Sequence, residues 1–197
     1  MAVVEVTALR TRGSGRVSVE FDGAPWRVLP VDVAVGAGLA VGERLDRARL
    51  RTLRRELRRH EALAAAAGAL RHRDLSRRAL DARLALRAVA PVERADALRV
   101  LERAGILDDG RFGATRARTL AERGWGDAAI RSDLEQQGVP DELIGPALEA
   151  LPPESERAGA LVLRRGAGVA TARWLARKGF GNDAIEAAAG PGIADDP

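Results

Sequence analysis

Residues 130–144, IRSDLEQQGVPDELI, return 41 positions later as residues 171–185, TARWLARKGFGNDAI. Ile130, Leu134, Gly138, Val139 and Ile144 of the first copy become Thr171, Leu175, Gly179, Phe180 and Ile185 of the second. That spacing sets two apolar side chains on one helical face, stops the helix at a glycine and starts another helix just beyond. Glycine suits the stop because the residue after a helix often takes a left-handed backbone. Pro140, two residues after Gly138, is placed to begin the following helix. A shift of 50 residues back finds a third copy in Leu80, Leu84, Ala88 and Val89, with Arg94 where an apolar residue is expected, before Leu98 and Leu101 resume the face. Such units cannot bury their apolar faces alone, so they stack. The sequence therefore predicts a mainly α chain of tandem three-helix repeats forming an elongated, curved body.

Working outward, Pro152-Pro153 separates the second copy from the third, which places the repeats at 69–107, 108–152 and 153–189. Ahead of them, 45–68 reads as a basic connecting helix. Leu50, Leu53, Leu57 and Ala64 mark its buried face, and Arg47, Arg51, Arg54 and Arg58 form a second stripe about a quarter turn away. Residues 1–44 read as a small β segment. Val17, Val19 and Phe21 alternate with polar residues, Asp22-Gly23 signals a hairpin, Trp26 and Val28 come next at strand spacing, and 3–7 supplies a third strand. Gly36, Gly38 and Gly42 interrupt the stretch between these strands and the basic helix, and the tail 190–197 reads as disordered.

Composition narrows the function. Of 197 residues 46% are hydrophobic, enough for a core, but only 3% are aromatic and none is Cys, which excludes disulfides and thiolate metal sites. The start has no charged segment leading into an apolar run, and no stretch is apolar enough to cross a membrane, so a cytoplasmic monomer is expected. Net charge is +4, yet between Arg44 and Arg59 eight arginines face only Asp46 and Glu56. So concentrated a basic segment is an electrostatic handle for polyanions, DNA first among them.

The repeats do not read as base-reading helix-turn-helix modules. The helices after their turns begin Pro140-Asp141-Glu142 and Asn182-Asp183, and carboxylates there repel phosphate. Aromatic stacking also finds little support, because most of Phe21, Trp26, Phe112, Trp125, Trp174 and Phe180 sit at core-like spacings. An enzyme is not indicated. His60 and His72 lack partner ligands, Asp108-Asp109 suits a helix cap better than an acid/base pair, and Gly13-Ser14-Gly15 and Gly166-Ala167-Gly168 lack a phosphate-binding fingerprint. No catalytic residue, cofactor or metal is expected.

Several segments together resemble the RecX family. Residues 73–80, RDLSRRAL, followed by Leu84, resemble its R-x-R-S-x-x-E-L signature, with Leu75 in place of the second Arg and Ala79 in place of Glu. Residues 105–112, GILDDGRF, are similar to its G-hydrophobic-hydrophobic-D-D segment. Gly124 to Leu134, Gly138-Val139 and Arg177-Lys178-Gly179-Phe180 are similar to its later repeats. The β region with Leu39-Ala40-Val41-Gly42 is similar to the extension some members carry.

The resemblance implies a non-enzymatic protein that binds the RecA–DNA filament and restrains ATP hydrolysis, strand exchange and coprotease activity. DNA phosphate and acidic patches of RecA are then expected to meet Arg51, Arg54, Arg58, Arg73, Arg77, Arg116, Arg118, Arg164, Arg165, Arg173, Arg177 and Lys178. The residues alone leave two other readings open: RecA-independent DNA binding or transcription control through the basic helix, and an adaptor for an acidic protein.

Overall fold

The computed structural model describes residues 3–190. The chain opens with β1 (Val4–Arg12), β2 (Arg16–Phe21) and β3 (Ala24–Pro30), then a short helix α1 (Val31–Gly36) and β4 (Arg44–Leu45). The strands form one antiparallel sheet in the order β3-β2-β1-β4. Asp22 and Gly23 turn β2 into β3 with φ of 50° and 79°, the left-handed pair that a tight hairpin requires. The Asp22 carboxylate also accepts a hydrogen bond from the Glu5 backbone N–H at 2.8 Å, which ties the turn to β1. Val6, Val19, Phe21 and Leu29 bury against Val33, Leu45, Leu53 and Leu57, the first of four cores among the described residues. Residues 31–36, expected only to lead into a glycine-broken stretch, are helical because Pro30 presets the entry and Val33 and Ala34 find cover.

Helix α2 (Arg47–Leu70) begins where the Asp46 carboxylate accepts the Arg49 backbone N–H at 2.8 Å. Its 24 residues span about 36 Å. The buried line runs Leu53, Leu57, Ala62, Ala66 and Ala69, and Ala64 is exposed rather than buried. The face shifts past Leu57 because the helix changes partners, leaving the sheet for the first helical unit.

That unit contains α3 (Arg77–Leu86) and α4 (Pro91–Arg103), which with the second half of α2 enclose a core of Ala62, Ala66, Leu80, Leu84, Leu98 and Leu101. The first unit thus borrows its third helix from α2. Ser76 caps α3, its hydroxyl accepting the Ala79 N–H at 3.1 Å. Arg94, at an apolar position of the repeat, is held by Asp81 at 2.9 Å and donates to the Val89 carbonyl at 3.0 Å. An ion pair across the α3–α4 turn takes the place of the missing apolar contact. Ala88 makes that turn with φ of 57°, where the other units use Gly138 (76°) and Gly179 (85°). A Cβ disfavours this conformation by about 1–2 kcal/mol, less the entropy that glycine adds to the unfolded chain. Ala88 is exposed, so Ala88→Gly removes strain without losing packing. It is expected to raise stability by about 0.5–1 kcal/mol, read as a higher urea midpoint at unchanged m.

The second unit is α5 (Asp109–Glu122), α6 (Asp127–Gln137) and α7 (Asp141–Glu149), and the third is α8 (Glu154–Arg165), α9 (Val169–Arg177) and α10 (Asn182–Ala189). Ile130, Leu134, Val139 and Ile144 fill the second unit's core, and Leu175, Phe180 and Ile185 with Ala158 and Val162 fill the third's. Thr171 fits a buried position because its hydroxyl donates to the Gly166 carbonyl at 2.8 Å. Asp108 caps α5 by accepting the Arg111 N–H at 2.9 Å.

The units are joined by polar contacts. Between the first and second, the Arg77 N–H donates to Asp109 at 2.7 Å and the Ser76 hydroxyl donates to the Gln137 carbonyl. Between the second and third, Gly126 N–H donates to Lys178 O at 2.9 Å and Ala128 N–H to Gly179 O at 3.1 Å. Glu154 accepts from the N–H groups of Asp127 (2.6 Å) and Gly181 (3.2 Å), and Arg157 reaches Asp127 and the Trp125 carbonyl. No described helix is long and apolar enough to cross a membrane. The expectation of a disordered tail falls, beyond Gly190, outside the described residues.

Candidate nucleic-acid interface

The solvent side of α2 carries a row of four arginines. Ala48, Arg51, Thr52, Arg54, Arg55 and Arg58 line a shallow groove on it. Leu53 and Leu57 fix this orientation from the opposite face, because they are buried in the sheet core. Arg51 and Arg54 are exposed and form no ion pair among the described residues, while Arg55 lies 3.7 Å from Glu56.

Arg58 is committed inward. Its Nε donates to Glu93 Oε1 at 2.8 Å, and Glu93, in the first turn of α4, is only 7% exposed. That hydrogen bond, reinforced by the backbone N–H of Glu93, holds the carboxyl below the ordinary glutamate range against desolvation. A carboxylate lowered by folding stabilises the fold above its unfolded pKa, and the contribution is lost as pH falls through the folded value. Arg58→Ala is therefore expected to cost about 1 kcal/mol at neutral pH. The gap to the parent closes as glutamate protonates, a trend that urea unfolding across an acid pH series checks.

The other sequence-picked cations divide in the same way. Arg77 pairs with Glu102 at 2.6 Å, beside Asp109, whose carboxyl burial pushes above its usual range despite the hydrogen bond from the Arg77 N–H. Arg116 grips Asp133 with two nitrogens, one of them at 2.8 Å, and this raises its already high pKa further. Arg73, Arg118, Arg164 and Arg177 are exposed with no ion pair among the described residues, and Arg173 lies exposed on α9. Arg165 lies over the Trp174 ring at 4.3 Å, and Lys178 sits 5.3 Å from the Trp125 ring and 5.9 Å from that of Trp174.

The picked residues thus do not form one surface. Arg51 and Arg54 share the α2 groove with Arg58, Arg165, Arg177 and Lys178 gather at the tryptophans, and Arg77 and Arg116 staple helices. Sequence reasoning missed the tryptophan pair. Only half of the signal was present: Trp174 aligns with Asp133 of the preceding repeat, a polar residue outside that unit's apolar core. No cluster of three metal-ligating side chains exists among the described residues.

A family model described as the second three-helix domain of RecX matches residues 108–148, the span of α5 to α7. A regulatory protein RecX from Halorhodospira halophila is 37% identical over 137 residues, covering 64% of this chain and 85% of the relative. The chain belongs to the RecX family. A crystal structure of a regulatory protein RecX aligns with a TM-score of 0.78 at 20% identity, over 98% of this chain and all of that one. The RecX structure from Lactobacillus salivarius aligns at 0.59 and 19% identity, over 66% of this chain and 92% of its own. At those identities the structural likeness speaks for the fold. As a RecX-family member the chain is a regulatory protein and not an enzyme.

Proposed function

We propose that this RecX-family chain binds the RecA–DNA filament and restrains its ATPase, strand-exchange and coprotease activities, within recombination and DNA repair in the cytoplasm. The open Arg51–Arg54 groove on α2 carries the reading. Its Arg51 and Arg54 offer guanidinium groups to phosphate with no carboxylate partner to displace among the described residues. The exposed cations of the second and third units add contacts to DNA and to acidic patches of RecA, so that many modest contacts sum along a monomer. A second reading, RecA-independent DNA binding, draws on the same groove.

The test is DNA-stimulated ATP hydrolysis by the cognate RecA on single-stranded DNA with this protein titrated in. A fall at substoichiometric ratios is expected, because each bound copy then disturbs many RecA subunits. Unchanged hydrolysis at excess, with filaments present by microscopy, overturns the filament reading in favour of the second.

A further inference from the structure

The junction of the second and third units leaves a cleft of about 310 Å³ lined by Trp125, Ala129, Trp174, Arg177 and Lys178. Trp125 and Ala129 come from the second unit and the other three from α9 and its end, so the cleft exists only while the units are docked. Both indoles are partly buried and fixed in place, Trp125 on the second core and Trp174 on the third. The Lys178 ammonium lies within 6 Å of both rings, Arg165 covers Trp174, and no carboxylate lines the cleft.

Resting on the DNA-binding reading, we propose that this cleft takes one unstacked base of single-stranded DNA, with the adjoining phosphate on Arg177 and Lys178. The chemistry selects that occupant. A flat π-system stacks on indole whatever its sequence, and the cations beside it need an anion on the same ligand. A second ammonium group is disfavoured because Lys178, Arg177 and Arg165 already concentrate positive charge beside the rings. An apolar helix would leave Arg177 and Lys178 uncompensated. A paired base in duplex DNA keeps its faces stacked and cannot enter.

The protein supplies its own reporter. It has three Trp and no Tyr, and Trp26 lies apart, its ring 4.9 Å from Phe21 in the sheet. In a Trp26→Phe background, emission comes from the cleft alone. Oligo-dT is expected to quench it, whereas an abasic oligomer of equal length and charge binds about tenfold more weakly without quenching. Trp174→Ala is expected to lower oligo-dT affinity to the abasic level and leave abasic binding unchanged. Equal affinity of the parent for the two oligomers, or emission unchanged at saturation followed by anisotropy, overturns the cleft while leaving DNA binding in place. Binding of neither oligomer overturns both readings. The parent comparison needs no variant to fold.

Discussion

Gly126→Ala is expected to undock the third unit from the second. A Cβ built on Gly126 falls 2.2 Å from the Phe180 nitrogen and 2.3 Å from the Gly179 carbonyl group. Both are backbone, so no side chain can swing aside. The φ of Gly126 is −84°, which alanine accepts, so the whole penalty comes from the contact. Relief requires the α9–α10 turn to retreat by about 1 Å, which breaks the hydrogen bonds from Gly126 to Lys178 and from Ala128 to Gly179. Two lost inter-unit backbone hydrogen bonds and an overpacked junction together amount to about 3 kcal/mol. The result is read as a lowered urea midpoint together with new protease cleavage near Pro152-Pro153. Gly159→Ala is the control. That glycine lies inside α8 with nothing within 4 Å of its Cβ position, so the change is neutral or slightly stabilising. Parent-like stability of Gly126→Ala would contradict the close backbone approach.

Replacing Arg51 and Arg54 together with Ala is expected to have the largest effect on DNA affinity. Each lost phosphate contact lowers the slope of log affinity against log salt by about 0.7–0.9, so the double variant loses about 1.6. Between about 50 and 200 mM salt the parent then loses about tenfold more affinity than the variant. Arg58 stays intact in this test although it belongs to the same stripe. Its removal strands the Glu93 carboxylate and mixes a folding defect with a binding one. An identical salt slope in parent and double variant would remove the α2 groove from the DNA interface.

The repeat was legible in sequence because its determinants are local: apolar residues at helical spacing and a glycine at each turn. Ala88 shows the same logic failing gracefully, since the turn keeps its geometry while the residue no longer suits it. The shift of the α2 buried face from Leu57 to Ala62 was not legible, because it depends on which neighbour each half meets. Nor was the sorting of cations into open and committed. Arg58 finds its carboxylate 35 residues away, Arg77 finds one 25 away, and Arg116 finds one 17 away, separations that no spacing rule on a single helix detects. The tryptophan cleft was hidden for the same reason, its halves belonging to different units.

Helix α2 has one end in the sheet core and the other in the first helical unit. Without the sheet, Leu53 and Leu57 would face water, and the turns that carry Arg51 and Arg54 would have no apolar partner to keep them helical. Six guanidinium groups between Arg47 and Arg58 would then repel one another along a fraying segment. The small β segment is therefore the splint of the cationic ridge: it need touch no DNA itself to decide how stiffly the protein can hold it.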